Sequence, residues 1–141
     1  MDPRGPRVTF VVDASALLQA LAPDEEGDVG AEVLVRIELT GAIAPQAFAD
    51  EIVHAAAKGV RMRRWSDAVA RRMVERTASL DIRIMDRVAV DPEQLEVALE
   101  LGLSGADASY VHLARETGLP LATADRTMRA AAERAGVRTM L

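Results

Sequence analysis

Four acidic residues, Asp13, Glu51, Asp107 and Asp125, stand where an α/β chain could use them for chemistry. Asp13 directly follows the apolar run Val8-Thr9-Phe10-Val11-Val12, and Asp125 follows Leu121-Ala122-Thr123. Asp107 closes the segment Ser104-Gly105-Ala106-Asp107, and Glu51 lies between Phe48 and Ile52. Each has an ordinary reading by itself. Aspartate at a helix start is a common N-cap, Asp107 can be the acidic half of a capping box with Ser104, and a helical glutamate can simply face solvent. Taken together they say more. Asp13 and Asp125 fall at the carboxyl ends of strands and Asp107 in the first turn of a helix, so the three can converge on one crevice. Two carboxylates ~5 Å apart repel by roughly 3 kcal/mol at an effective dielectric of ~20. A hard divalent cation relieves that repulsion, and an oxygen-only ligand set suits Mg2+ or Mn2+. Such an ion generates a nucleophile from water and stabilises charge on phosphate. These parts fit hydrolysis of a phosphodiester without a histidine base.

Composition narrows the alternatives. The 141-residue chain has no cysteine and two histidines, His54 and His112. Disulfides, thiolate zinc sites, a cysteine nucleophile and a histidine-rich metal centre are therefore excluded. No apolar stretch approaches the about 20 residues of a membrane span. The opening Met1-Asp2-Pro3-Arg4-Gly5-Pro6-Arg7 lacks the apolar core of a secretory signal and reads as a disordered tail, so a cytoplasmic protein is expected. Net charge is −5, yet all but one of the 17 basic residues are arginine. Arg61, Arg63, Arg64, Arg71, Arg72 and Arg76 crowd together, either as a solvated helix face or as a phosphate-contacting patch.

The elements that must position the carboxylates follow from periodicity and turn chemistry. Residues 8–12 form a continuous β-branched and aromatic run, the pattern of a strand buried on both faces. A helix then runs to about Ala22, where Pro23 and the acidic run Asp24-Glu25-Glu26-Gly27 stop it. A second helix ends at Gly41, and Ala42-Ile43-Ala44 is a short strand. Pro45 suits the first turn of the next helix, which ends near Gly59. Further helices are expected over 66–79, from Asp91 to Leu101, from Ser104 to Thr117, and from Asp125 onward. Ile82-Arg83-Ile84, Leu121-Ala122-Thr123 and Val137 to Leu141 are the remaining strands. Strands alternating with helices imply an α/β fold, a mostly parallel sheet with helices on both faces. Ligands of such sheets sit beyond the carboxyl ends of the strands.

The residues at those ends resemble PIN domains, and among them the VapC-type toxins of bacterial toxin–antitoxin pairs. The resemblance rests on Val11-Val12-Asp13-Ala14-Ser15, on Pro45 with Glu51 six residues later, on the run from Leu103 to Ala114, and on Leu119 to Asp125. It spans residues 8–141 as one PIN domain behind a tail at 1–7. It implies that Asp13, Glu51, Asp107 and Asp125 are the catalytic and metal-holding quartet, supported by Ser15 and Thr123. It further implies a Mg2+- or Mn2+-dependent endoribonuclease acting on RNA, a homodimer, and a small VapB-like antitoxin that inhibits it. Met62, Trp65, Val69, Met73 and Val74 recur at near-helical spacing and offer either the surface for such partners or further core. One position departs from the pattern: His54 stands where VapC-like sequences often carry asparagine, on the same helix face as Glu51.

Other functions fit less well. A receiver domain needs a lysine after a late strand, and the single lysine, Lys58, falls on a helix. A haloacid-dehalogenase-like phosphatase needs Asp-x-Asp after the first strand, where this chain has Ser15. A housekeeping RNA-processing nuclease, or a PIN scaffold that binds RNA or protein without cutting, remains as the alternative. Four clustered carboxylates count against the scaffold, since repelling charges bring no structural benefit without a cation.

Overall fold

The computed structural model describes residues 9–25, 27–85 and 89–140. The expected tail at 1–7, together with Val8, Glu26 and Leu141, lies outside the described residues. Five short strands, β1 (Val11–Val12), β2 (Ala42–Pro45), β3 (Ile82–Met85), β4 (Leu121–Ala122) and β5 (Thr139–Met140), form one sheet in the order β3-β2-β1-β4-β5. Every strand pair is parallel. Among the described residues seven helices connect them: α1 (Ala14–Leu21), α2 (Asp28–Thr40), α3 (Ala47–Arg61), α4 (Asp67–Ser79), α5 (Pro92–Leu101), α6 (Gly105–Thr117) and α7 (Arg126–Arg134). The expected α/β architecture is the one observed.

Strand order sets where a ligand can sit. From β1 the chain moves outward through β2 to β3, then crosses back over the sheet to β4 and outward again to β5. Because such crossovers are right-handed, opposite directions of travel put α1–α4 on one face and α5–α7 on the other. The reversal opens a crevice beyond the carboxyl end of β1. The strand that anchors it is wholly apolar and fully buried: Val11 and Val12 are inaccessible, flanked by Phe10, Leu121 and Ala122. Helix α6 packs over β2, β1 and β4 and is buried continuously from Ala108 to Ala114, as a helix between a sheet and α5 must be.

Helix boundaries follow the turn chemistry closely. Ser66 accepts the Val69 amide, Asp91 accepts the Glu93 amide with Pro92 at the first helical position, and Ser104 accepts the Asp107 amide. Two expectations shift. Pro45 is the last residue of β2, paired with Met85, rather than part of the next helix; a strand's end tolerates a residue without an amide proton. Gly59 does not end α3, which continues to Arg61. Its missing side chain instead admits the Trp65 indole, whose Nε1 donates to the Ala56 carbonyl at 3.0 Å. A Cβ at Gly59 would lie 2.0 Å from Trp65 Cε2. Trp65 thus fastens the turn between α3 and α4, and Arg64 stacks on its ring with 4.6 Å to the centroid. That arginine also forks onto Asp24 at 2.8 and 2.9 Å, so it is engaged within the protein. The remaining arginines of the cluster, Arg61, Arg63, Arg71, Arg72 and Arg76, are exposed.

Gly59→Ala should therefore destabilise the fold by about 1–3 kcal/mol through overpacking, read as a lower thermal midpoint. Wild-type stability in that variant would contradict the close packing of Trp65.

Candidate functional site

Asp13 leaves β1 as the residue before α1, in the N-cap position, yet its side chain caps nothing. Its Oδ2 instead accepts two hydroxyl protons, from Ser15 Oγ and Thr123 Oγ1, both at 2.6 Å. Each hydroxyl, having given its proton, accepts a backbone amide of the β4–α7 loop. Ala124 N donates to Ser15 Oγ at 3.1 Å, and Asp125 N donates to Thr123 Oγ1 at 3.0 Å. One carboxylate thereby ties the end of β1 to the loop after β4. Asp125 does keep the ordinary role: its Oδ1 accepts the Thr127 and Met128 amides at 2.8 and 3.1 Å and caps α7. Capping occupies one oxygen, and the residue still lines the crevice.

The crevice, of about 400 Å³, brings all four expected acids together: Asp13 from the end of β1, Glu51 from the second turn of α3, Asp107 from the first turn of α6, and Asp125. Ser15 and the exposed Asp50 and His54 also line it. Among the described residues its lining contains no lysine or arginine. His54 is an accessible rim residue, not a packing residue of the core. A larger groove of about 890 Å³ runs beside α5, but Leu95, Leu99 and Val90 make it mostly apolar, and among the described residues Asp91 is its single ionisable lining residue. The clustered carboxylates line the smaller crevice.

Its electrostatics are those of like charges held together. Burial raises the Asp13 carboxyl above its ordinary value, the hydrogen bonds of Ser15 and Thr123 work against the rise, and the Asp107 charge adds to it. Asp107 is raised by burial and by Asp125, with Ser104 opposing. Glu51 is pushed up to about 7, chiefly by burial and then by Asp13 and Asp107. Its Oε1 is buried without a hydrogen-bond partner, as is the hydroxyl of Tyr110. The phenol sits close enough to oppose part of the Glu51 shift, though not in good hydrogen-bonding geometry. Tyr110, inaccessible to solvent, lies behind the crevice beside Asp13 and Glu51. Its position three residues after Asp107, one turn along the same helix face, was the available signal.

A PIN-domain family profile matches residues 10–134. The chain belongs to the PIN-domain family. Over 121 residues it is 33% identical to the exonuclease VapC9 of Pyrobaculum aerophilum, covering 86% of this chain and 84% of that one. The crystal structure of PAE2754 from the same organism superposes with a TM-score of 0.69 at 32% identity, over 88% of this PIN domain and 84% of the other. The resemblance read from the four motifs, to a PIN domain of VapC type, is thus supported by profile, sequence and fold alike.

The raised Glu51 carboxyl has a consequence for stability. Between its ordinary value of 4.5 and its folded value of about 7, the folded PIN domain holds a proton that the unfolded chain has released. Stability must then fall as pH rises through that window. Metal-free protein should melt at a lower temperature at pH 8 than at pH 5.5, and Glu51→Gln should flatten that decline. Equal pH slopes in the two proteins would remove Glu51 as its cause.

Proposed function

We propose that this PIN domain is a Mg2+- or Mn2+-dependent endoribonuclease, the VapC-like toxin of a toxin–antitoxin pair. The observation that carries the reading is the buried, unpartnered Oε1 of Glu51 in a crevice lined, among the described residues, by four acids and no lysine or arginine. Proteins leave buried polar atoms unsatisfied rarely and usually for a functional reason. An all-oxygen donor set with excess negative charge fits a hard divalent cation, so the residues present suit the ion that the family implies. Asp13, Asp107 and Asp125 would hold it, with Glu51 completing the set from the facing helix. When bound, the ion supplies charge neutralisation on the scissile phosphate and acidifies water.

The chain's own groups do the rest. Ser15 and Thr123 fix the Asp13 carboxylate in one orientation, so no reorganisation is needed when substrate arrives. Glu51, facing the three aspartates across the crevice, is placed to position the attacking water. The exposed arginines of the α3–α4 turn and of α4 offer the phosphate contacts that the acidic crevice itself lacks.

As part of the same reading, the protein is cytoplasmic and forms a homodimer that a VapB-like antitoxin inhibits. Among the described residues no helix is long and apolar enough to cross a membrane. Met73 is buried in the core and Trp65 is committed to Gly59, which leaves Val35 and Leu39 (each 53% exposed), Val53 (54%) and Met62 (62%) as the exposed apolar residues of the middle helices for a partner. Light scattering with and without antitoxin checks both associations.

The name of the Pyrobaculum relative, an exonuclease, favours a second reading, attack from RNA ends. Circular and linear RNA of one sequence separate the two, since only an endonuclease opens a circle. Purified, antitoxin-free protein should cut both with Mg2+ or Mn2+ and neither with EDTA. Asp107→Asn and Glu51→Gln should stay folded and lose at least about a hundredfold in rate, the scale of removing one charge-stabilising group. Their losses should not add, because the acids act as a unit. His54→Asn should remain active. Cleavage undiminished in EDTA, or by folded Asp107→Asn, would falsify the metal-nuclease reading, and a circle left intact while linear RNA is consumed would favour the exonuclease.

A further inference from the structure

Among the described residues Tyr110 is the largest side chain that solvent does not reach at all. It stands on α6 three residues after Asp107, one turn along the same helix face. Its hydroxyl and Glu51 Oε1 are, among the described residues, the two buried side-chain polar atoms without a hydrogen-bond partner. One is a donor, the other an acceptor, and they are neighbours: the phenol sits beside Asp13, Glu51 and the Ala14 amide. A buried phenol usually finds a partner. Left without one it has given up water for nothing, and phenylalanine would fill the same space without that cost. The hydroxyl therefore has no packing reason to be there.

What surrounds the phenol oxygen decides where its proton can go. The Ala14 amide, at the first residue of α1, can only donate, so it meets the oxygen and not the hydrogen. Two carboxylates remain. Asp13 Oδ2 already receives the hydroxyls of Ser15 and Thr123, and the Ser15 amide serves the same carboxylate. Glu51 Oε1 has no donor. The bond missing from the phenol and the bond missing from Glu51 are thus one bond, which a small rotation of either side chain would close. Glu51 has reason to need it. Asp13 and Asp107 both disfavour its charged form, and the phenol is the neighbouring side chain that favours it. A carboxylate oxygen carries two lone pairs, so accepting the phenol proton on one leaves the other toward the crevice.

We propose that Tyr110 is a positioning residue of the nuclease, whose O–H donates to Glu51 Oε1 and holds that carboxylate facing the three aspartates against their repulsion. It acts through Glu51 and does not itself line the crevice. The role rests on the nuclease reading, whereas the pairing itself does not. Hydrogen bonds that support a working carboxylate from behind typically matter about 10–100-fold.

Tyr110→Phe keeps the ring and removes the hydroxyl, and its effect in wild-type and Glu51→Ala backgrounds provides the test. Two readouts apply: thermal melting of metal-free protein at pH 8, and the rate of RNA cleavage with Mn2+. With Glu51 present, the substitution should lower the melting temperature by a few degrees. In Glu51→Ala, where the hydroxyl has no acceptor, it should leave the temperature unchanged or raise it. A residue that only packs would shift both backgrounds equally. In cleavage, Tyr110→Phe should reduce kcat about tenfold with KM for RNA unchanged, and reduce it no further once Glu51 is alanine. Equal melting shifts in the two backgrounds, or undiminished kcat in Tyr110→Phe while wild type cuts RNA, would each overturn the proposal. RNA left uncut by the wild type would instead sink the nuclease reading, and the melting comparison would still decide whether Tyr110 and Glu51 are paired.

Discussion

Burying the Asp13 carboxylate at 3% exposure costs free energy that its hydrogen bonds return only in part, because its carboxyl still titrates above the ordinary value despite two hydroxyl donors. That unfavourable position is also what organises the site. Ser15 and Thr123 both serve the same Asp13 oxygen, and each in turn anchors an amide of the β4–α7 loop. The end of the central strand, the start of α1 and the approach to Asp125 are thereby held in one network. A neutral side chain at position 13 would keep the shape and lose the reason for it.

The sheet order supplies the remaining acids. Because the chain reverses direction beside β1, helices from both faces meet above its carboxyl end. α3 brings Glu51 from one side, and α6 brings Asp107 and Tyr110 from the other. Each acid added raises the cost of the next, which is why burial and neighbouring carboxylates together lift Glu51 to about 7. An arrangement that destabilises the empty protein in this way is consistent with a fold optimised for a bound cation instead of for the apo state.

Much of this was legible before any coordinates. The buried strand, the caps at Ser66, Asp91 and Ser104, and the placement of carboxylates after strands are local signals that tertiary structure had no cause to override. What escaped depended on contacts between distant segments. Gly59 resembles a helix terminator until Trp65, six residues on, needs its space. Arg64 resembles a phosphate ligand until Asp24, forty residues earlier, takes its guanidinium. Nothing local to His112 points to Asp91, 21 residues earlier, whose Oδ2 lies 2.8 Å from its Nε2. Periodicity marks His112 as buried, but no periodicity records which polar atoms meet it.

Crystals grown with Mn2+ and measured at a wavelength where manganese scatters anomalously would address the central claim most directly. The account predicts an anomalous peak within coordination distance of Asp13, Asp107 and Asp125, lost in Asp13→Asn. A crevice without such a peak at saturating Mn2+, in protein that still cuts RNA, would contradict it.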